Sequence, residues 1–481
     1  MKLKELKLTN PYLKLPSLCY DRVNPTALKK PFLVHANYSL AKSLDIDISD
    51  NNELTKFVNG ELPLEGTDNF AMCYAGHQFG HFVPRLGDGR AINIGSVTNE
   101  YNEIYHLQLK GAGETLYSRS GDGRAVLRSS IREYLMSEAM HGLGIETSRA
   151  LAIIGSEHSV YRQIWEKGSI VLRVSPSWVR FGTFEYFAHS KNFKELEALA
   201  DYAINESYSH LNDEKDKYYH FFTEVMGKTA RLMAEWQSVG FNHGVMNTDN
   251  MSIYGITIDY GPYAFLDDYD TNFICNHTDQ NGRYSFGNQP RIGEWNLRAL
   301  ALALELLVPR ERLEKIIAHY GRIYSRHFLY LIGKKLGLDE VTEKDFELMK
   351  LMFGMLQSLS VDYTLFFRTI SHYSKDRTEL LKLGLYHAPM SDWLDDYDKR
   401  LEENKTSVKE RHNLMLKVNP KYVLKNYMLQ EAIEEAEQGN FKLVDDLFKI
   451  AQNPYDEHKE FERWAEATPD MFKNQKLSCS S

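Results

Sequence analysis

Two short segments near the middle of the chain constrain it most: HGVMNTDN at 243–250 and IDYG at 258–261. They supply an amide oxygen at Asn250 and a carboxylate at Asp259. Magnesium prefers hard oxygen ligands and keeps several waters, so one or two protein ligands and phosphate oxygens are enough to bind it. Asp and Gly also favour ordinary turns. We favour a site for Mg²⁺ or Mn²⁺, because the apolar residues before Asp259 predict a strand that presents the carboxylate.

The first segment resembles the catalytic loop of protein kinases, with one difference. Kinases carry His-x-Asp-x-x-x-x-Asn, in which the Asp accepts the proton of the substrate hydroxyl and the Asn holds a metal ion. His243 and Asn250 keep that spacing, but Val245 stands at the Asp position. Valine cannot accept a proton. The chain therefore performs no chemistry, or it performs a different transfer that uses Asp249.

Lys110 and Glu133 form a second candidate pair. Lys110 ends a predicted strand at 106–110, and Glu133 lies in a predicted helix at 125–141. In kinases a strand Lys contacts the ATP phosphates and is held by a Glu on the next helix. Holding the Lys in place reduces the entropy lost on binding. Either residue alone would be an ordinary surface charge, but together with the metal motifs they indicate a nucleotide site.

Two Gly-Asp-Gly-Arg segments, at 87–90 and 121–124, flank the Lys110 strand. Glycine lets a backbone approach a phosphate closely, and arginine offers a bidentate donor to phosphate oxygens. Neither segment matches the G-x-G-x-x-G loop of kinases, so an ordinary ATP pose does not follow. Arg173 lies in an apolar strand, where a cation needs an anionic partner. That partner is a carboxylate or a phosphate, and we favour phosphate.

The bulk composition is that of a globular protein, with 43% hydrophobic residues, 26% charged residues and a net charge of −9. The negative balance argues against non-specific nucleic-acid binding, which needs a basic surface. No apolar leader or run of 18 apolar residues is present, so we expect no membrane partner and a cytoplasmic location. Four cysteines without CxxC spacing argue against a zinc site.

The order of predicted elements indicates an α+β protein. Strand-like segments come first, and helical patterns dominate from about residue 185. The predicted strands lie at 91–95, 106–110, 151–154 and 170–174, and the predicted helices at 125–141, 194–210, 217–239, 296–306, 310–336, 343–358 and 421–438. The predicted domains are an N-terminal extension (1–68), a kinase-like N-lobe (69–184), a helical C-lobe with the metal site (185–390) and a C-terminal helical extension and tail (391–481).

Three long runs carry a closer resemblance: FAMCYAGHQFGHFVPRLGDGRA, LQLKGAGETLYSRSGDGRAVLRSSIREYLMSEAM and FNHGVMNTDNMSIYGITIDYGPYAFLDDYD. They resemble the selenoprotein O family, the protein-kinase-like adenylyltransferases. The final SCSS is also similar, with Cys479 where eukaryotic members have selenocysteine. The resemblance implies a kinase-like bilobal fold and transfer of AMP from ATP to Ser, Thr or Tyr hydroxyls of proteins. It also implies UMP transfer from UTP in some bacterial members.

The resemblance further implies an inverted nucleotide, whose α-phosphate faces the acceptor. Inversion moves the reacting phosphorus, and this accounts for the valine at the kinase base position. The roles implied by motif position are proton acceptor for Asp249, metal ligands for Asn250 and Asp259, and phosphate binding for Lys110, which Glu133 supports. The other residues implied to line the nucleotide are Gly87, Gly89, Arg90, Asp122, Gly123, Arg173 and Arg180; Asp259 also belongs to this set.

Two alternatives to nucleotide transfer stay open: a kinase that moves the γ-phosphate, and a non-catalytic nucleotide-binding scaffold. Val245 weighs against the kinase, and the two metal ligands weigh against the scaffold. We also hypothesise a redox-sensitive disulfide between Cys275 and Cys479 that holds the tail over the site. The alternative is two unrelated thiols, because a reducing compartment makes such a bond transient.

Overall fold

The computed structural model describes residues 1–473 and 475–477. Strands dominate its N-terminal part and helices its C-terminal part, which confirms the predicted α+β class. The strands are β1 (Tyr20–Arg22), β2 (Pro31–Ala36), β3 (Phe70–Met72), β4 (Gly76–Gln78), β5 (His81–Val83), β6 (Ala91–Thr98), β7 (Ile104–Lys110), β8 (Ala125–Val126), β9 (Arg149–Tyr161), β10 (Trp165–Ser175), β11 (Phe241–His243) and β12 (Tyr263–Phe265).

The helices have the following bounds. In chain order they are α1 (Tyr38–Ser43), α2 (Asn51–Val58), α3 (Leu127–Gly142), α4 (Phe181–His189), α5 (Phe193–Ser207), α6 (Lys217–Ser238), α7 (Gln289–Leu304), α8 (Arg310–Ile317), α9 (Tyr320–Lys335), α10 (Asp345–Leu359), α11 (Tyr363–Ile370), α12 (Thr378–Leu381), α13 (His387–Leu401), α14 (Val408–Leu416), α15 (Asn426–Glu437) and α16 (Lys442–Gln452).

The main sheet is antiparallel, with strand order β1-β3-β6-β7-β10-β9-β2, and β8 pairs with β10. Neighbouring strands β7 and β10 set Lys110 opposite Val171 and Gln108 opposite Arg173. Because side chains alternate between the faces of a strand, Leu107 and Leu109 enter the core on the opposite face. The face of these central strands that carries Lys110 and Arg173 is therefore polar near the end of β7. The opposite face, which carries Leu107 and Leu109, is apolar.

Helix α3 lies between the sheet and the C-terminal helices. It packs on β9 and β10 on one side and on α15 and α16 on the other. Its side chains are buried over most of its length, including the charged Arg132, Glu133 and Glu138. Burial on both sides fixes the position of the helix relative to β7, and so fixes the position of Glu133 relative to Lys110.

The hairpin of β11 and β12 carries the two motif segments. His243 pairs with Tyr263 across it, and the chain between the strands, 244–262, forms a long loop. Within this loop Thr248–Asn250 forms one 3₁₀ turn. The hairpin thus brings Asp249 and Asp259 to the same side of the molecule, although the second lies ten residues after the first.

Some sequence predictions of elements were wrong. The helix expected at 310–336 is two helices, because the His319 N–H bonds to the Ile316 carbonyl (3.0 Å), and this tighter turn ends α8.

Strands β1 and β2 of the main sheet come from the segment predicted as an N-terminal extension, and α13 crosses the predicted boundary at 390. The division into four domains stays a prediction. Within the described residues no helix is both long and apolar enough to span a membrane.

Candidate active site

A cleft of about 470 Å³ opens between the main sheet and the 244–262 loop. Motifs from four distant parts of the chain meet around it. Of the residues predicted for nucleotide, metal and base, only Glu133 does not line the cleft, and it lies directly behind Lys110. The predicted residues that line it are Gly87, Gly89, Arg90, Lys110, Asp122, Gly123, Arg173, Arg180, Asp249, Asn250 and Asp259.

His243 connects the two motif segments from within the core. Its Nε2 is 3.1 Å from the carbonyl oxygen of Ile258, the residue before Asp259. Its Nδ1 accepts a hydrogen bond from the N–H of Val245 (3.3 Å), and its ring stacks on Trp236 with 5.3 Å between centroids. Burial lowers the pKa of His243, so the ring is neutral near pH 7. His243 therefore has a structural role: it links the 243–250 and 258–261 segments and sets the distance between them.

Lys110, Glu133 and Arg173 form a buried cluster on the sheet side of the cleft. Lys110 Nζ lies 2.5 Å from one carboxylate oxygen of Glu133, and Arg173 Nε bonds to the other. Burial lowers the pKa of Lys110 to about 8, with Arg173 acting in the same direction and two carboxylates opposing it. Burial would raise the pKa of Glu133, but the two cations outweigh burial and lower it. Arg173 thus has the carboxylate partner that the sequence left open, while its side chain still lines the cleft.

Asp259 faces the same cations from the loop. Its Oδ1 is 3.5 Å from Lys110 Nζ and 3.4 Å from Arg173 Nη2, and 30% of its side chain is exposed. Burial acts to raise the pKa of Asp259, but Lys110 and the nearby arginines hold it well below the usual range. The residue has φ +58°, a left-handed conformation that Asp tolerates better than most residues. Asp259 is therefore a fixed anion at neutral pH.

Asp249 lies across the cleft in a different environment. One carboxylate oxygen accepts a hydrogen bond from Gln78 Nε2 at 3.3 Å, and the other is buried without a hydrogen-bond partner among the described residues. Burial raises the pKa of Asp249 to about 7. A buried carboxylate oxygen without a partner is costly and needs an explanation, of which a catalytic role is one. Asp249 lines the cleft and keeps hydrogen-bonding capacity that no described residue uses.

Arg180 connects the Asp249 loop to the first Gly-Asp-Gly-Arg segment. Its Nη1 donates to the backbone carbonyl of Asp249 (2.9 Å), its Nη2 lies 3.7 Å from Asp88, and its guanidinium lies over the ring of Tyr74 (4.6 Å). Burial raises the pKa of Asp88 although Arg180 opposes the shift. Arg180 therefore holds the Asp249 loop in position through its backbone and also lines the cleft.

Two predicted residues have contacts that their motif did not indicate. Asp122 is held by both terminal nitrogens of Arg162, at 2.9 Å each, so its carboxylate is an ion-pair partner at the mouth of the cleft. Gly87 has φ +87°, and a Cβ there would lie 2.3 Å from the ring of Tyr117. The Tyr117 ring thus leaves no room for a side chain at position 87. A glycine there would also let a phosphate approach the backbone closely.

Sequence reasoning missed residues whose only signal is their place in the fold. Gln78 reaches Asp249 from the β4–β5 hairpin. Asn247 accepts hydrogen bonds from the Phe79 N–H (3.2 Å) and the Tyr284 hydroxyl (2.7 Å), which anchors the loop before Asp249. Both residues lie inside the runs that carry the family resemblance, but no spacing or composition rule distinguishes them.

Cys275 lies close to the C-terminal end of the described chain. Its Sγ is buried, and its carbonyl accepts a hydrogen bond from the Leu477 N–H at 2.8 Å. Burial raises the pKa of the Cys275 thiol. Cys479 lies outside the described residues, so the disulfide hypothesis stays a prediction.

The oxygen donors fit a divalent cation that also binds phosphate. Asn250 donates its amide nitrogen to the Val245 carbonyl (3.0 Å), which sets the orientation of the amide, and Asp259 is a fixed carboxylate. Within residues 1–473 and 475–477 no group of three His, Cys, Asp or Glu side chains is arranged to hold a metal ion by itself. A cation here would rely on nucleotide and water oxygens for its remaining ligands, as magnesium does at phosphate sites.

Comparison with known proteins identifies the class of the protein. The chain is 46% identical over 485 residues to a protein nucleotidyltransferase YdiU of Myxococcus xanthus, covering 100% of this chain and 99% of the relative. Proteins of the same name from Photobacterium profundum and Thioalkalivibrio sulfidiphilus are each 44% identical, covering 100% of this chain and 99% and 100% of their own lengths. The fold, the cleft and these similarities define an enzyme of the nucleotidyltransferase class.

The family can be stated more narrowly. The sequence model described as "Protein adenylyltransferase SelO" matches residues 2–452. The chain belongs to this SelO family, which confirms the resemblance found in its motifs.

Proposed function

We propose that this protein transfers AMP from ATP to the hydroxyl groups of Ser, Thr or Tyr side chains in other proteins and releases pyrophosphate. UTP would serve as a second donor and give UMP transfer. The observation that carries the proposal is the distribution of groups in the cleft. Val245 stands where a kinase has its base, whereas Asp249 offers a buried carboxylate oxygen with no partner in the described chain.

The proposed reaction takes place at the α-phosphorus. The acceptor hydroxyl oxygen forms a bond to this phosphorus, and the bond from the phosphorus to the oxygen that bridges it to the β-phosphate breaks. Pyrophosphate leaves with the bonding electrons, and the hydroxyl proton passes to Asp249. This geometry needs a kinase-like bilobal fold that binds its nucleotide inverted, so that the innermost phosphate meets the acceptor.

The remaining residues have supporting roles in this proposal. Lys110, held by Glu133, neutralises charge on the phosphates together with the arginines of the cleft. A divalent cation, Mg²⁺ or Mn²⁺, held by Asn250 and Asp259 would add further charge neutralisation. The side chains and backbone that would line the nucleotide are Gly87, Gly89, Arg90, Asp122, Gly123, Arg173 and Arg180.

The two alternatives have less support. A γ-phosphate kinase needs its base near position 245, and that side chain is a valine in the wall of the cleft. A non-catalytic scaffold has no need of Asp249 with an unpartnered buried oxygen, because this arrangement costs stability. Both facts support chemistry at the Asp249 side of the cleft.

The position of a radioactive label distinguishes the three functions. The protein is incubated with protein acceptors and a divalent metal, using ATP labelled at the α-phosphate in one sample and at the γ-phosphate in the other. We expect α-label to stay on protein and γ-label to appear only in pyrophosphate. Label retained from the γ-position alone would establish the kinase, and no retained label from either would establish the scaffold. An Asp259→Asn sample controls for contaminating activity.

A further inference from the structure

A second cavity, of about 810 Å³, lies beside the cleft. We call it the side groove and define it by Phe79, the loop 278–283 and the α7 face from Arg291 to Arg298. Its volume is in the range of pockets that bind ligands of several hundred daltons. Phe79 lines both the side groove and the cleft, so the two cavities are neighbours.

The tip of the β4–β5 hairpin separates the two cavities. Phe79 and Gly80 form its turn with φ +51° and +86°, the double positive φ that closes a two-residue hairpin. On the cleft side, Gln78 bonds to Asp249. On the groove side, a Cβ at Gly80 would lie 3.2 Å from the guanidinium carbon of Arg283. A chain that reached from the side groove to Asp249 would pass Phe79 at the hairpin tip, which lines both cavities.

Arginines outnumber acidic residues among the side chains that line the side groove. Glu294 is paired with Arg298 at 2.6 Å, and the buried Asp279 accepts the backbone N–H groups of Arg283 (3.0 Å) and Tyr284 (2.7 Å). Both acidic residues of the lining thus have partners. Arg291 is exposed on α7 and makes no ion pair within the described chain.

Arg283 is arranged to receive an anion. Its guanidinium lies 4.5 Å from the ring centre of Trp295 and 5.7 Å from that of Tyr284, so two aromatic rings fix its plane. Its Nε is buried and has no hydrogen-bond partner among the described residues. A planar guanidinium held in this way matches a carboxylate with two parallel hydrogen bonds.

We propose that the side groove binds the segment of the substrate protein that flanks the acceptor hydroxyl, and that it selects an acidic side chain there. This inference rests on the proposed function. The acceptor side chain reaches Asp249 past the hairpin tip, while a Glu or Asp of the same segment meets Arg283 and Arg291. The substrate class is therefore Ser, Thr or Tyr close in sequence to an acidic residue.

The test uses the full-length protein and synthetic peptides with one acceptor hydroxyl. In one set a Glu is moved one position at a time on both sides of the acceptor, and matched sets carry Ala or Lys instead. Transfer from α-labelled ATP gives kcat/KM for each peptide. At the best position we expect the Glu peptide to exceed the Lys peptide by about 10-fold or more, the scale of a charge-based discrimination.

Two variants connect this preference to the groove. Arg291→Glu, an exposed substitution, should remove the preference for Glu and favour the Lys peptide, and Arg283→Gln should reduce the preference as well. Arg326→Glu, an exposed substitution on α9 outside the groove, should leave the preference unchanged. Thermal unfolding of each variant identifies any loss of folding, and the Lys peptide tests whether charge reversal rescues Arg291→Glu.

The outcomes separate the two proposals. Equal kcat/KM for the Glu, Ala and Lys peptides, with normal AMP transfer, would overturn the side-groove inference and leave the proposed function standing. A Glu preference that Arg291→Glu does not alter would also overturn it. Failure of every peptide and protein to retain α-label would overturn the proposed function and the inference with it.

Discussion

Two parts of the 244–262 loop place aspartates in opposite electrostatic environments. Asp259 faces the cationic wall of the cleft, formed by Lys110 and Arg173 on the sheet. It lies within 3.5 Å of both, and these cations hold its pKa well below the usual range despite burial. Asp249, next to the β4–β5 hairpin, accepts a hydrogen bond from the neutral Gln78, and burial raises its pKa to about 7. The two aspartates, ten residues apart, therefore differ in their tendency to hold a proton.

The difference indicates how one cleft divides its roles. A carboxylate whose surroundings favour its charged form suits the binding of a cation, and one that is buried without a cation at its oxygens suits proton transfer. In the proposed function the cationic wall would also supply the groups that bind phosphate. The first three predictions below each weaken one side of this division, beginning with the substitution expected to have the largest effect on transfer.

Asp259→Asn should reduce AMP transfer most. The substitution removes the anion that would hold the metal and leaves Lys110 and Arg173 with one carboxylate between them. We expect a loss of about 10³-fold or more, because preorganised charge at a phosphoryl centre is commonly the largest catalytic contribution. Label transfer measured across metal concentrations checks this. Recovery at high metal would show weakened binding, and an unchanged rate at ordinary metal would exclude a metal role for Asp259.

Asp249→Asn should come next. The amide is the same size but cannot accept the acceptor proton, so we expect a drop in kcat of about 10²- to 10⁴-fold, the usual contribution of a general base. The KM for ATP should change little, because the cationic wall is intact. Transfer rates measured over a range of ATP concentrations up to saturation separate kcat from KM. A loss confined to KM would assign Asp249 to nucleotide binding instead.

Glu133→Gln should have a smaller effect on transfer. The change weakens the hold on Lys110 without removing its charge, and misplacement of this kind costs about 10- to 100-fold. Glu138 offers a matched control on the same helix, since it is equally buried and pairs with Arg149 at 2.8 Å away from the cleft. Glu138→Gln should lower thermal stability without the specific loss of transfer. Equal transfer losses in both variants would show that Glu133 acts only through stability.

Much of this division could be predicted from the sequence, because the motifs are local. The spacing of His243, Asn250 and Asp259 lies within one hairpin, and the Lys110 strand and Glu133 helix are neighbours in the chain. Periodicity therefore located the elements, and the family resemblance supplied the roles of most groups on them. The predicted cleft residues do line one cavity, with Glu133 behind it.

The rest depended on contacts between distant residues. Gln78 lies 171 positions from Asp249, and Arg162 reaches Asp122 from the turn between β9 and β10, so no local pattern indicates either contact. The same holds for Arg173, whose carboxylate partner on α3 could not be distinguished from a phosphate by sequence alone. The left-handed backbone of Asp259 has no sequence signal either, because glycine is the residue that usually indicates this conformation.

Lys335 extends the comparison to a buried cation that has no carboxylate partner among residues 1–473 and 475–477. Its ammonium lies 4.5 Å from the ring centre of Phe367 and 3.5 Å from the Val418 carbonyl, in the helical part of the protein far along the chain from the cleft. Burial alone lowers its pKa from 10.5 to about 7. Lys110 loses less, to about 8, because carboxylates oppose the effect of burial.

Lys335→Met should therefore stabilise the fold and leave transfer unchanged. Below about pH 7 the lysine is protonated in both the folded and unfolded states, so the full penalty of the buried charge is present. Between pH 7 and 10.5 the unfolded state binds more protons, so wild-type stability rises with pH as the penalty disappears. Since each pKa unit is worth about 1.4 kcal/mol, we expect a gain of a few kcal/mol at pH 6 that shrinks toward pH 10. Denaturant unfolding of both proteins across this range measures the difference, in which the contribution of Lys110 cancels. A gain that did not depend on pH would show that packing, and not the buried charge, limits stability at this position.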